Sequence, residues 1–300
     1  MSVVVRDRGM AEAAQATLRE RRPPGFWYRF SRHRLAVLGM VFVAVIGLAA
    51  LLAPWISPYD PYAMQLPEAR LRPSLEHPLG TDNLGRDILT RVLVGGRVSI
   101  AVALAAVAIS SGVGTVLGVT AGYRGGWVDS VIMRITDMFM SIPLFVLLIV
   151  LVSMLGPSKA NVILIVGLLS WMGVARLVRG QVLSVMNELY IEAATASGAP
   201  STRIVLRHVL PNSFVPAVVA TTLGVANAML WEAALSFLGL GIQPPTPSWG
   251  NMLNAAQQLQ TLVREPWVWL GPGGAIALTV LSINFMGDGL RDALDPRARR

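Results

Sequence analysis

The chain has 300 residues, 54% of them apolar and only 14% charged, with a mean hydropathy of +0.57. A soluble domain carries about 25% charge, so these figures exclude an ordinary water-soluble globular protein, and the absence of cysteine removes disulfides, thiolate metal sites and thiol nucleophiles. The net charge of +8 reads as arginine gathered at the ends of membrane spans, not as a nucleic-acid footprint, and the histidines, His33, His77 and His208, stand too far apart in sequence to suggest a metal site.

In chain order, residues 1–34 form a basic, polar N-terminal segment, expected to be flexible to about Pro24. Phe26, Trp27, Tyr28 and Phe30 then alternate with Arg29, Arg32 and Arg34, a pattern that suits a helix lying on the anionic headgroups of membrane lipid. Apolar runs predict six spans, at about 35–56, 98–121, 135–155, 161–178, 214–238 and 268–290. At 1.5 Å per residue each is about long enough for a hydrocarbon core of roughly 30 Å. The long polar lead-in and the lack of a small-x-small site make the first span an anchor, not a cleaved signal.

After the first span, Asp87 is expected to cap a short helix at the outer interface. Ile88, Leu89, Val92 and Leu93 would lie on one face, with Arg91 and Arg97 elsewhere. Asp82-Asn83-Leu84-Gly85 superficially resembles a calcium loop but lacks the alternating ligand spacing. In the second span Gly114, Gly118 and Gly122 follow Ser110 in four-residue steps, a stripe that lets another backbone approach closely. Pro143 should kink the third span and free a carbonyl, and Asp137 sits near its inner end.

Between spans four and five, residues 179–213 are long and polar. A short helix is expected over 188–197, broken at Gly198-Ala199-Pro200. Ser201 or Thr202 would cap a second short helix ending near Leu210, with Pro211 and Asn212 leading into span five. Helix, glycine turn, helix makes a protruding knuckle, suited to a groove on another protein. Glu192 offers it a charge. In span five, Glu232 is a costly intramembrane charge with three readings: pairing with an Arg of a neighbouring helix, facing a water-filled path, or touching a transported molecule. Pairing is the favoured one. Asn227 and Asn284 are expected to hydrogen-bond between helices, and the Pro-rich stretch 243–250 to form a rigid outer loop.

Six spans place both termini on one side. The segments on that side hold 17 of the 25 basic residues and the opposite segments 7, with Arg176 at the end of span four, so both termini, including the tail 291–300, are expected in the cytoplasm. Segment 179–213 is then cytoplasmic too. The chain has one lysine, Lys159, between Ser158 and Ala160, so no phosphate-binding loop exists, and no HExxH or GxSxG signature is present. It is therefore expected to be no enzyme and to bind no cofactor itself. A channel filter is absent, and an ion-coupled carrier would need a counterpart to Glu232 in the other half of the chain.

Glu192-Ala193-Ala194, three residues, Gly198, nine residues, and then two before Leu210-Pro211 resembles the EAA loop of ABC-importer permeases. His208 departs from the general pattern, which often has Ile there. The form His208-Val209-Leu210-Pro211-Asn212 is similar to that of the peptide and nickel branch. His77-Pro78-Leu79-Gly80-Thr81-Asp82-Asn83-Leu84-Gly85-Arg86-Asp87 resembles an extracytoplasmic signature of the C-type subunit of dipeptide and oligopeptide permeases, and so does the stretch 235–250, LSFLGLGIQPPTPSWG. The resemblance runs from about residue 26 to the C-terminus.

It implies an all-α membrane protein with the six transmembrane helices of the type I ABC-importer permease fold, occupying residues 35–290, in a bacterial or archaeal cell membrane. Its implied partners are a second homologous permease subunit, two cytoplasmic ATPase subunits that bind the ATP and Mg, and an extracytoplasmic substrate-binding protein. The EAA residues Glu192, Ala193, Ala194, Gly198, Leu210 and Pro211 would dock an ATPase subunit. Di- or oligopeptides are the implied cargo, with nickel, glutathione or oligosaccharide as the alternative.

Overall fold

The computed structural model describes residues 26–294, so the expectations for the lead-in to Pro24 and for 295–300 of the tail lie outside the described residues. Within them the fold is helical, with a single isolated β-bridge between Thr81 and Asp87 and no strand. Five helices or helix pairs are long and apolar enough to cross a membrane, and a sixth crossing is a pair bent by 84°.

The first helix, α1 (Phe26–Arg32), turns at His33 into α2 (Arg34–Ile56), where the His33 ring accepts from Ala36 N at 3.1 Å. The twenty-three residues of α2 match the first predicted span. Phe30 and Ala36 pack with Ala293, which brings α1 and α2 against the last helix. Trp27 and Tyr28 stay exposed, as an interfacial helix requires.

The long loop to Asp87 ends in α3 (Ile88–Arg124), thirty-seven residues without a break. Asp87 caps it as expected, its Oδ2 accepting from Thr90 N at 2.7 Å. The expected separate interfacial helix is not separate: it is the first turns of the span itself, because no glycine turn or proline interrupts 88–124. Arg91, expected away from the buried face, is buried, and its Nη1 donates to Pro61 O at 2.8 Å.

Gly125 and Gly126, both at positive φ, end α3 and start α4 (Gly126–Met140). The third predicted span is broken, not merely kinked: α4 and α5 (Leu144–Leu155) meet at 84° across Ser141-Ile142-Pro143. The fourth is α6 (Lys159–Leu169) followed after Ser170 by α7 (Trp171–Met186), eight residues longer at the inner end than expected.

Next come α8 (Leu189–Ala196) and α9 (Ser201–Ile204). A π-helical turn over Val205–Val209 joins α9 to α10 (Leu210–Phe237). The expected second knuckle helix is therefore the entry of span five, not a separate element. Pro211 has no N–H to donate to residue 207, and its ring would crowd that carbonyl; the wider turn just before it takes up the mismatch. The expected Ser or Thr cap is also absent: Pro200 occupies the cap position with extended backbone, and Ser201 is the first helical residue.

The loop after α10 leads to α11 (Trp249–Ala255), opened by a capping box between Ser248 and Asn251. A short α12 (Leu259–Arg264) and then α13 (Pro266–Leu294) complete the fold.

α3 is the central strut, packing on α7, α10, α6 and α2. Val102, Ala103, Ala106 and Val107 face Val162, Ile165 and Val166 of α6 and Ala226 and Met229 of α10. The glycine stripe faces α7. A Cβ on Gly114 would stand 2.7 Å from Trp171 O, one on Gly118 2.6 Å from Ala175 O, and one on Gly122 2.8 Å from Val182 Cβ. Small residues substitute here for the water-driven burial that is missing inside lipid.

Candidate coupling surface and inner cavity

In segment 187–213, α8 is anchored by one buried side chain. Ile191 is 1% exposed and packs with Val182, Val185, Ile204 and Val209. The rest of α8 stands out: Leu189 is 80% exposed, and Glu192, Ala193, Thr195 and Ala196 are exposed as well. Gly198 has φ +76, and its N–H donates to Thr195 O at 3.0 Å while Ala199 N–H donates to Ala194 O at 3.1 Å. That paired arrangement is a Schellman stop, which needs a left-handed residue at Gly198. A Cβ there would meet nothing within 4 Å, so the requirement for glycine is conformational, not steric.

The far end is tied by Tyr190. Its hydroxyl accepts from Asn212 Nδ2 at 3.3 Å and its ring lies 6.0 Å from that of His208. Thus His208, the departure from the general EAA pattern, braces α8 against the entry of α10. Leu210 is half-buried and Pro211 exposed. Glu192, Met186, Ile191, Thr195 and Ala196 line an open groove of about 400 Å³, and the Glu192 carboxylate makes no hydrogen bond or ion pair among the described residues. An exposed, shape-defined helix with a small-residue face and one free carboxylate can receive another protein.

A cavity of about 560 Å³ opens between α3, the α4–α5 elbow, the α6–α7 break and α10. Among the described residues no charged side chain lines it. Ser110, Ser111, Pro143, Ser170, Asn227 and Trp231 contribute to its wall. Both helix breaks face it, and the Ser170 hydroxyl is buried without a hydrogen-bond partner. Asn227, expected to bond between helices, makes no side-chain hydrogen bond among the described residues and lies on the cavity wall; Asn284 makes none either. The wall can offer hydroxyl, amide and apolar contacts to a passing molecule while holding no fixed charge.

Glu232 is not on that wall. It is 0% exposed and accepts from Ser99 Oγ at 2.9 Å and Ser236 Oγ at 2.8 Å. The expected arginine partner is not there: among the described residues no arginine forms an ion pair with Glu232. Two serines, one of them on α3, satisfy the carboxylate instead. Ion pairs form elsewhere, two of them between α4 and α7: Asp137 with Arg176, and Asp129 with both Nε and Nη2 of Arg179. Acidic residues eight apart on one helix and basic residues three apart on another were the available sign of this clasp.

The outer motif 77–87 is an internal clasp. His77 is buried, with Nδ1 2.9 Å from Asp87 Oδ1, and the Tyr59 ring stacks on it at 4.7 Å. Partial desolvation, then the charges of Asp87, Glu76 and Glu68, shift the Tyr59 phenol above its ordinary pKa, and its hydroxyl donates to Glu76 O at 3.0 Å. Asp82 spends both oxygens on Arg86 and on the backbone N–H groups of Leu84 and Arg86. Those bonds account for the calcium-like spacing without a metal. Gly85, at φ +73, lies so close to Gln65 that a Cβ would overlap its carbonyl.

Residues 114–300 match the family model described as binding-protein-dependent transport system inner membrane component. Residues 25–74 match that of the N-terminal transmembrane domain of oligopeptide transport permease C. A protein of Brucella suis biovar 1 that carries the provisional name of a peptide permease is 43% identical over 270 residues, 90% of this chain and 89% of its own length. The glutathione transport system permease protein GsiD of Escherichia coli O6:K15:H31 is 45% identical over 275 residues, 91% of this chain and 90% of its own.

Proposed function

The chain belongs to the family of binding-protein-dependent transport inner-membrane components and is an ABC-importer permease of the peptide and oligopeptide branch; from that premise we propose that it is one of two unlike permease subunits of an ATP-driven importer of di- or oligopeptides. The second permease faces the cavity wall of α3, α5 and α10, and cargo passes between the two. Both termini and α8 lie in the cytoplasm, in keeping with the arginine bias. Two ATPase subunits bind ATP and Mg below the membrane, and one of them receives α8 in a surface cleft. A substrate-binding protein delivers cargo to the outer loops.

The observation that carries this reading is the coupling segment. The buried Ile191, Ile204 and Val209 and the Schellman stop make it a rigid projection, and its second half runs through the π turn into α10 without a flexible joint. Closure of the ATPases would therefore move α10 as a body and expose the cavity alternately to the two sides. The chain has no phosphate-binding loop of its own, so this is where energy enters. An uncharged cavity wall suits peptides of varied side chain. Glutathione is the second reading, favoured by the 45% identity to permeases named for it.

The test is reconstitution with partner subunits in liposomes. Glu192→Arg reverses the free carboxylate, and Gly198→Pro cannot adopt the required positive φ. Each should lower peptide uptake at least about tenfold while ATP hydrolysis continues. Unaltered uptake in both variants, or uptake by wild type without any ATPase subunit, would overturn the reading.

A further inference from the structure

Glu232 is the meeting point of two hydrogen-bond arms that both lead to the outer loop. Ser99 Oγ donates to one carboxylate oxygen and accepts Trp249 N–H at 3.2 Å; Ser236 Oγ donates to the other and accepts Ile242 N–H at 3.0 Å. Ser99, Ser236, Glu232 and Trp249 are all buried, Trp249 fully so. Between the two attachment points only Gln243, Pro244 and Pro245 are exposed.

The packing around the arms is equally tight. The Trp249 indole donates to Val92 O at 2.8 Å and covers Gly96, where a Cβ would stand 2.8 Å from the ring. A Cβ on Gly250 would stand 2.7 Å from Ala233 Cα. An unpaired carboxylate inside a helical bundle is costly. Here each of the two side-chain hydrogen bonds it accepts continues to the same loop, while the carboxylate is off the cavity wall and has no cation partner among the described residues.

We propose that Glu232 is a positioning residue for the outer dock. It fixes the tip 243–245 in register on α3 and α10, so that a protein pressing on the tip acts on the two helices that wall the cavity. The proposal rests on the importer reading above and adds to it the route by which the outer face reports to the membrane core.

The experiment uses the assembled complex in nanodiscs, with cargo-loaded binding protein as the titrant. Two quantities are read: the binding-protein concentration for half-maximal ATPase stimulation, and amide hydrogen exchange over 240–250. Glu232→Ala should raise the first by about tenfold or more and speed exchange at Ile242 and Trp249 by a similar factor. Basal ATPase activity and exchange within 102–110 should stay as in wild type. The Ser99→Ala/Ser236→Ala double variant should reproduce the effect. Glu232→Gln, which keeps one acceptor and can donate to the second serine, should fall within about threefold of wild type.

An unchanged half-maximal concentration despite a loosened loop would overturn the proposal. So would basal ATPase falling in step with the stimulated rate, or Gln proving as damaging as Ala. A wild-type complex that no binding protein stimulates would overturn the importer reading instead, and the exchange measurements would still score whether Glu232 holds the loop.

Discussion

Glycines on the same helix are not equally constrained, and the difference predicts different mutants. On α3, Gly118 sits against Ala175 O and Val178, whereas Gly112 on the same helix has nothing within 4 Å of a Cβ. Gly118→Val should therefore overpack the α3–α7 contact and cost about 1–3 kcal/mol, while Gly112→Ala should be neutral or slightly stabilising. Thermal unfolding of the two variants in detergent checks the contrast, and equal melting temperatures would refute it. The four-residue step of the stripe was legible in the sequence; that it meets α7 was not, because nothing in a one-dimensional pattern names the partner. Glu232 shows the same limit. Its cost inside the membrane was legible, but its nearest donor on another helix, Ser99, stands 133 residues away, and a serine carries no charge to mark it.

At the scale of elements, span three shows how one proline is amplified by its neighbours. Pro143 alone predicts a kink. The 84° elbow also needs the other half of the span held down, and the Asp129–Arg179 and Asp137–Arg176 pairs hold α4 on α7. The two pairs should not be equal. Arg179 engages Asp129 through two nitrogens in a partly buried site, while both members of the other pair are about half exposed. Double-mutant cycles should give a coupling of about 1 kcal/mol for Asp129–Arg179 and less than half of that for Asp137–Arg176. The reverse order would show that geometry here does not govern strength. The coupling segment was the most legible element: its helix, glycine stop and small-residue face all follow from local rules. Its fusion to α10 was missed, because a π turn ahead of Pro211 leaves no signature that distinguishes it from a loop.

For the molecule as a whole, the orientation reading rests on arginine asymmetry, and the chain offers a direct test because it has no cysteine of its own. Leu75 and Leu189 are both strongly exposed and lie on segments expected on opposite sides. In intact cells a membrane-impermeant thiol reagent should label Leu75→Cys, and should label Leu189→Cys only after permeabilisation. The opposite pattern would invert the topology and remove α8 from the side where ATP is available.

The sequence by itself determined the class, the number of crossings, the absence of a phosphate-binding loop and the helix–glycine-turn shape of segment 188–200, since each depends on composition or on residues near one another along the chain. Only the tertiary structure decided that the outer motif is a clasp that buries Arg91 and His77, that the cavity wall is uncharged, and that Glu232 is bound to the outer loop by two serines. Those features are made between helices distant in sequence, where packing and hydrogen bonding choose partners that no local pattern specifies.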